Sequence, residues 1–314
     1  MRKTLAALAV ASLALAGSLA TPAHAEGERF VFVSHAPDSD SWWNTIKNAL
    51  KVASSQMGVT VEYRNPPTGD LADMARIVEQ ATASNPAGII STIADFNVLK
   101  GPLAKAVEQG IPVITVNSGT IEESKDIGAL LHIGQPEYAA GFAAGERAKA
   151  AGVKKFLCVN HYITNPASVQ RCQGFADGLN VPLGNQMIDT GLDPSEVKNK
   201  VSAYLRANAD TDGIIALGPN SAEPTIAALK ENGMAGQVHF GTFDLSAGIS
   251  AAIKDGTIAF AIDQQPYLQG YLPVVLLTNY ARYGVIPPNA INSGPGFITK
   301  DNIALVEKLA GEYR

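Results

Sequence analysis

The feature that most constrains the fold is a regular alternation of short apolar runs with longer segments of helical periodicity. Two of the short runs, Phe30-Val31-Phe32-Val33 and Gly213-Ile214-Ile215-Ala216, carry no polar side chain, as expected for parallel strands that helices cover on both faces. The alternation predicts a doubly wound α/β chain. The predicted strands are residues 29–34, 59–63, 87–92, 112–116, 154–159, 181–188, 212–217, 237–242 and 257–262, and the predicted helices are residues 41–57, 70–84, 97–109, 136–150, 166–179, 194–208, 220–232 and 266–282.

The number of predicted strands indicates two sheets. About nine strands exceed one small sheet, and Gly134-Gln135-Pro136 interrupts the pattern between the fourth strand and a new series of helices and strands. Two similar α/β halves are the simplest arrangement. Since the chain has no low-complexity segment and no long linker, short strand-like hinges must join the halves.

The N-terminal segment has the pattern of a secretory signal peptide. Arg2 and Lys3 precede an apolar stretch that ends at Ala23-His24-Ala25, where small residues flank the middle position. A membrane anchor fits less well because the apolar run is short and Thr21-Pro22 interrupts it. No cysteine stands at the first position after the cleavage site, which argues against a lipid anchor. We expect cleavage after Ala25 and a mature protein in the periplasm or outside the cell.

Composition and motifs narrow the function classes. The net charge of −5 comes with no basic patch, so a nucleic-acid partner is not expected. The chain lacks the common motifs of hydrolases, zinc proteases and nucleotide-binding loops, its histidines have no metal spacing, and Asp38-Ser39-Asp40 lacks the later ligands of a calcium loop. We therefore expect no metal and no cofactor, and an enzyme is unsupported. Cys158 and Cys172 match no zinc or redox motif, so they either pair or stay buried thiols.

Candidate ligand contacts lie in the loops that follow the strands. Open parallel sheets bind ligands outside the carboxyl ends of their strands. The only two tryptophans, Trp42 and Trp43, begin the helix after the first strand. Consecutive helical residues point about 100° apart, so we expect at least one indole to face the crevice, where it suits the C–H face of a sugar ring. The alternative is one core and one surface aromatic. The other candidates are His35, Asp40, Asp95, Asn117, His161, Arg171, Asn220, Asp244 and Gln264.

Together these residues resemble the periplasmic ribose- and galactose-binding family, the sugar-binding components of ABC transporters with the type I periplasmic binding protein fold. The resemblance runs from Arg29 to the C-terminus. It matches the family's polar residue and aromatic pair to Asp40, Trp42 and Trp43, its arginine before Gly-Phe to Arg171, and its later polar positions to Asn220, Asp244 and Gln264.

The resemblance implies two Rossmann-like lobes joined by a three-segment hinge. The expected N-terminal lobe comprises residues 27–134 and 266–292, and the other lobe comprises residues 135–265 and 293–314. One departure stands out. Asn117-Ser118 occupies the place where ribose-binding members carry an Asp-Arg pair. A neutral amide accepts hydroxyl hydrogen bonds less strongly than a carboxylate, so we expect a ligand other than ribose itself.

The implied function is a periplasmic substrate-binding protein of an ABC importer. It would close two lobes around a monosaccharide or related polyol and present it, as a monomer, to the membrane permease, with a chemoreceptor or sensor as a further partner. The alternatives are a nucleoside or furanose-signal binding protein, the effector domain of a lactose-repressor-type transcription factor, and a periplasmic sugar-acting enzyme. A repressor would carry DNA-binding helices where the signal peptide stands. In an enzyme, Asp244 or His35 would have to act as acid or base.

Overall fold

A computed structural model describes residues 27–314 of the protein. The signal peptide predicted for residues 1–25 lies outside the described residues. Within residues 27–314, no helix is long and apolar enough to cross a membrane.

The described chain contains twelve strands, arranged in two six-stranded sheets. Six of these strands are buried at every position, which agrees with the apolar runs of the sequence. In chain order the strands are β1 (Arg29–Val33), β2 (Thr60–Arg64), β3 (Gly88–Ser91), β4 (Val113–Val116), β5 (Leu131–Gly134), β6 (Phe156–Asn160), β7 (Met187–Asp189), β8 (Gly213–Ala216), β9 (His239–Phe243), β10 (Phe260–Asp263), β11 (Ile291–Asn292) and β12 (Gly296–Ile298).

Ten α-helices in the described chain cover the sheets. Local sequence signals fix several helix ends: Thr120 and Glu123 form a reciprocal capping box at one start, and Gly58 takes a left-handed conformation at the end of the first helix. The helices are α1 (Trp43–Met57), α2 (Leu71–Ala83), α3 (Phe96–Glu108), α4 (Ile121–Asp126), α5 (Glu137–Ala150), α6 (Pro166–Leu179), α7 (Pro194–Ala207), α8 (Pro219–Glu231), α9 (Ala247–Asp255) and α10 (Pro266–Tyr283), followed by short 3₁₀ turns at Ile303–Leu305 and Glu307–Leu309.

Each sheet is the centre of one lobe. The first lobe contains the sheet β11-β5-β4-β3-β1-β2, all of whose pairs are parallel, with α1 to α4 and α10. The second lobe contains the sheet β12-β10-β9-β8-β6-β7 with α5 to α9, and only its β12 runs antiparallel. Helix α10 follows β10 in sequence but packs on the first lobe, where Val274 and Leu277 are buried with Phe30 and Ile46.

The chain passes from one sheet to the other three times, after β5, after β10 and between β11 and β12. The doubly wound α/β class is confirmed, whereas the residue-by-residue lobe boundaries stay a prediction. The structure adds elements that the sequence pattern did not reveal: β5, α4, α9, β11 and β12. It also shortens the predicted strand 181–188 to Met187–Asp189, because Pro182 and Gly184 do not suit a regular strand.

Helices α5 and α6 of the second lobe touch through their backbones. Gly141 in α5 and Gly174 in α6 are two of four glycines at the contact, and a Cβ atom on either one would overlap a carbonyl oxygen of the opposite helix. A disulfide between Cys158 and Cys172 also ties α6 to β6, so of the two sequence alternatives the paired one holds. Helix α6 is thereby fixed to both the sheet and α5.

Candidate functional site

A small cavity lies between the two lobes, at the carboxyl ends of their strands. It measures about 50 Å³ as the space open to the centre of a water molecule. The residues that line it come from the loops and helices that follow β1, β4, β6, β8, β9 and β10, in agreement with the strand-end rule for parallel sheets. Ten of the eleven candidate residues meet here: His35, Asp40, Trp42, Trp43, Asn117, His161, Arg171, Asn220, Asp244 and Gln264.

The remaining candidate, Asp95, does not line this cavity. Its side chain accepts hydrogen bonds from the backbone N–H groups of Asn97 and Val98, at 2.9 and 3.3 Å, and so caps the start of α3. N-caps and ligand contacts both place a short polar residue between a strand and a helix. The sequence pattern therefore did not separate the two roles.

The two tryptophans form part of the cavity wall, and both face the crevice. Trp43 is 2% exposed and packs edge-on against Phe32 and His35, so it belongs to the core and to the wall at once. The ring of Trp42 lies 5.1 Å from that of Trp43, at an angle of 78° between the ring planes. The indole Nε1 of Trp42 is buried and has no hydrogen-bond partner among residues 27–314.

Asp40 joins the two lobes across the mouth of the cavity. Its Oδ2 accepts a hydrogen bond from the Tyr162 hydroxyl at 2.9 Å, and its Oδ1 accepts one from Nδ2 of Asn220 at 2.9 Å. A second cross-lobe bond runs from Nδ2 of Asn165 to Oγ of Ser118 at 3.2 Å. Three of these residues, Tyr162, Asn165 and Ser118, were not chosen as sites from the sequence, although Tyr162 stands directly beside His161.

A chain of amides connects the first lobe to the acidic end of the cavity. Nδ2 of Asn117 donates to Oε1 of Gln264 at 3.2 Å and to Oε1 of Gln269 at 3.0 Å, and Nε2 of Gln264 donates to Oδ2 of Asp244 at 2.9 Å. Asn117 and Asp244 both have left-handed backbones, with φ of 60° and 61°. Such conformations are uncommon outside glycine and concentrate at functional sites.

Asp40 and Asp244 are the two carboxylates that line the cavity within residues 27–314, and of these Asp244 alone has an oxygen without a geometric hydrogen bond. The residue is 4% exposed, and its Oδ1 has no hydrogen-bond partner in the described chain. Burial raises the pKa of the Asp244 carboxyl to about 7. The charge of Arg171 and the side chains of Gln264 and Trp42 offset this only in part. A hydroxyl group that donates to Oδ1 would favour the ionised form.

The two cavity histidines are neutral near pH 7. Burial lowers the pKa of His35 to about 4, and its Nδ1 lies 3.0 Å from the Thr92 hydroxyl. Burial, followed by the charge of Arg171, lowers the pKa of His161 to about 3. Nδ1 of His161 is buried and unpaired within residues 27–314. These rings therefore offer hydrogen-bonding atoms and flat surfaces without charge.

Arg171 is held by its neighbours on three sides. Its Nε and Nη2 donate to the Glu137 carboxylate at 2.6 and 2.7 Å, and its Nη1 donates to the Leu217 carbonyl at 3.0 Å. Its guanidinium carbon also lies 4.4 Å from the centroid of the Phe243 ring. Glu137 was not found from the sequence, because nothing in a sequence links two residues that are 34 positions apart.

No group of three or more metal-ligating side chains comes together in residues 27–314. The cavity instead combines aromatic faces, hydrogen-bond donors and one unpaired carboxylate oxygen, a set that suits a small ring bearing hydroxyl groups.

The sequence profile of the periplasmic binding protein domain matches residues 30–284. The chain belongs to this family. This periplasmic binding protein is 27% identical over 291 residues to the xylose/arabinose-binding protein of Sulfolobus acidocaldarius, covering 88% of this chain and 72% of the relative. It is 23% identical over 274 residues to the ribose import binding protein of Haemophilus influenzae, covering 85% and 90%.

Comparison with solved structures also places the chain among carbohydrate-binding proteins with this fold. A carbohydrate transporter protein from Acidothermus cellulolyticus 11B, determined in complex with myo-inositol, has 32% sequence identity and a TM-score of 0.85, and the match covers 92% of this periplasmic binding protein and all of that chain. A solute-binding protein from Burkholderia graminis C4D1M, determined with D-arabinose, shares the fold with a TM-score of 0.81 at 20% identity. The resemblance to sugar-binding members of the type I fold is thereby confirmed.

Proposed function

We propose that this protein is the substrate-binding component of an ABC importer and that it binds one neutral monosaccharide or cyclic polyol between its lobes. One observation carries the proposal. Trp42 Nε1, His161 Nδ1 and Asp244 Oδ1 are three buried polar atoms that make no hydrogen bond of regular geometry in the described chain, although the Trp42 side chain lies near enough to the Asp244 carboxylate to lower its pKa slightly; all three residues line the same cavity. Buried polar atoms are almost always hydrogen-bonded, so these atoms indicate a ligand that both donates and accepts hydrogen bonds.

The chemistry of the wall matches a sugar ring. Such a ring has apolar C–H faces and a rim of hydroxyl groups that donate and accept at once. The Trp42 and Trp43 rings supply the apolar contact, Asp244 accepts from hydroxyl groups, and Arg171 donates to them. The relative determined with myo-inositol, a cyclic polyol, and those named for xylose, arabinose and ribose support this ligand class.

Lobe closure follows from the division of the site. Trp42 and Trp43 belong to the first lobe, whereas Arg171 and Asp244 belong to the second. A ligand that touches both sets binds the closed form more tightly and shifts the population toward it. The hydrogen bonds of Asp40 to the second lobe add to the stability of that form.

The cellular context completes the proposal. Export by the segment that ends at Ala25 would place the mature monomer in the periplasm, where the closed form docks on the membrane permease of the importer. A chemoreceptor or sensor would recognise the same closed surface. We expect no turnover of the ligand. Burial brings the pKa of Asp244 into the range of a general acid or base, but the cavity histidines that would have to work with it, His35 and His161, are neutral and poor proton donors near pH 7.

A thermal-shift screen tests the proposal. The mature protein is heated with myo-inositol, D-arabinose, D-xylose, D-ribose, D-galactose, D-glucose and adenosine in separate samples. A ligand at about 100 times its Kd adds about 2.7 kcal/mol to the free energy of unfolding, which corresponds to a Tm rise of roughly 5 °C or more. If none of the sugars and polyols shifts the Tm, the proposal fails. A shift by adenosine alone would favour the nucleoside alternative, and release of a new product would identify an enzyme.

A further inference from the structure

Glu137 forms a buried ion pair with the arginine of the site but does not itself line the cavity. It is the first residue of α5, directly after the chain leaves the first lobe. Glu137 is 5% exposed and Arg171 is 8% exposed. The two side chains meet through two parallel hydrogen bonds of 2.6 and 2.7 Å. This side-by-side arrangement fixes the plane of the guanidinium group as well as its position.

Contacts with Leu217 and Phe243 also fix the orientation of the Arg171 guanidinium group. A guanidinium group has five N–H donors. Glu137 takes two of them, the Leu217 carbonyl takes a third at 3.0 Å, and the Phe243 ring covers the guanidinium at 4.4 Å. Two N–H groups are left, one on each terminal nitrogen. Because Arg171 lines the cavity, these two are the donors that it offers to a ligand.

The same pair sets the charge that a ligand meets. With Glu137 in place, Arg171 donates hydrogen bonds while its positive charge is balanced by a carboxylate on its far side. The other groups that face the arginine are Asp244, which is acidic, and His161, whose ring stays neutral. Among residues 27–314, no second positively charged side chain lines the cavity. An anionic ligand would therefore meet no net positive charge to offset the loss of its water shell.

The hinge contributes to the placement of Glu137. Gln135, in the segment that crosses between the lobes, is 3% exposed and donates from Nε2 to Oε2 of Glu137 at 2.8 Å. The position of Arg171 thus depends, through Glu137, on the side chain of Gln135 in the crossing segment.

We propose that Glu137 is a positioning and specificity-determining residue, which aims Arg171 at the ligand and makes the site select uncharged sugars over sugar acids. This inference rests on the proposed sugar-binding function. It goes further by assigning the choice of ligand charge to a residue outside the cavity.

The test compares Glu137→Gln with the wild type and with a control, Glu146→Gln, which removes an exposed carboxylate from the same helix. Isothermal titration calorimetry at pH 8 measures binding of myo-inositol, D-galactose and D-arabinose, and of the anion D-galacturonate. In Glu137→Gln one of the two negative charges beside Arg171 is removed while Asp244 remains. The affinity for D-galacturonate relative to the best neutral compound should therefore rise by roughly tenfold, because the ligand carboxylate meets less repulsion. The control should keep the wild-type ratio.

An unchanged ratio in a folded Glu137→Gln protein overturns the inference. If this variant does not fold, Glu137→Asp replaces it. The aspartate keeps the charge but is one methylene too short for the double contact, so it should weaken binding of the neutral compound and preserve the preference for neutral ligands. Equal affinity in Glu137→Asp and wild type overturns the positioning role. Failure of the wild type to bind any neutral compound would instead count against the proposed function.

Discussion

Asp244 should make folding and ligand binding respond to pH in opposite directions. Its carboxyl pKa rises from 3.8 to about 7 in the folded protein. Above pH 7 the folded protein holds an ionised buried carboxylate, whereas the unfolded chain ionises the same group freely. At about 1.4 kcal/mol for each pKa unit, this costs the folded state about 4 kcal/mol above pH 7. The cost disappears as the pH falls from 7 toward 4, so Asp244 alone makes the ligand-free protein more stable in mild acid.

The neutral histidines act against this trend. His35, His132 and His161 have pKa values lowered to between about 3 and about 4, and the unfolded chain takes up their protons below about pH 6.5. They remove stability as the pH falls. The contribution of Asp244 is therefore read as a difference between the wild type and Asp244→Asn, since both proteins carry the same histidines. Urea denaturation at pH 8 and pH 5 should show the wild type gaining several kcal/mol relative to the variant at the lower pH.

Ligand affinity should change the other way. If only the ionised carboxylate of Asp244 accepts the ligand's hydroxyl hydrogens, each pH unit below about 7 weakens binding roughly tenfold. Calorimetric titrations of the wild type with its best sugar at pH 8, 7, 6 and 5 measure this slope. A Kd that stays constant from pH 8 to pH 5 would show that Asp244 is not the acceptor. If the free energy of unfolding changes equally in the wild type and in Asp244→Asn between pH 8 and pH 5, the pKa of Asp244 in the folded protein is not raised.

Three further changes test the architecture. Tyr162→Phe removes a hydroxyl that crosses the cleft, so small-angle scattering should show a larger ligand-free radius and affinity should fall roughly tenfold; an unchanged radius and Kd would mean that the bond does not hold the lobes. Replacing Cys158 and Cys172 by alanine opens a loop of 14 residues and should cost about 3 kcal/mol in urea unfolding; equal stability would contradict this. Gly174→Ala should lower the free energy of unfolding by more than about 1 kcal/mol in urea unfolding, because its Cβ atom would overlap the Tyr138 carbonyl oxygen. The control Gly101→Ala, in open space on α3, should raise the free energy of unfolding slightly, and equal effects of the two changes would refute the close contact.

The sequence was most informative where burial is complete. Strands such as β1 and β8 are buried along almost their whole length, so their apolar runs marked them without ambiguity. Strand β5 has only four residues and contains His132, and α4 has six, too few to show a helical period. Short elements depend on neighbours supplied by the fold, and a single sequence does not display those neighbours.

The same limit applies to the site. Trp42, Asp244 and Gln264 could be located because the strand-end rule selects a few loops, and each of these loops offers few polar or aromatic side chains. Asp95 satisfied the same rule but caps a helix. Glu137 escaped notice because its role depends on a partner brought close by the packing of α5 against α6. Sequence position predicts which side chains reach the cavity edge, but the supporting contacts come from tertiary packing.

The glycine-lined contact between α5 and α6 bears on how new specificities could be built on this scaffold. Main-chain atoms make the closest contacts there, around Gly141, Gly145, Gly174 and Gly178. Arg171 ties α6 to α5 through its ion pair with Glu137, so it belongs to this interface as well as to the cavity. Ala167 and Ser168, at the start of α6, also line the cavity, and neither supplies an atom nearest to the glycines. Substitutions at these positions can therefore alter which ring the cavity accepts while the helix keeps its place. A library that varies these cavity residues and leaves the glycines and the Glu137–Arg171 pair untouched should yield mostly folded proteins.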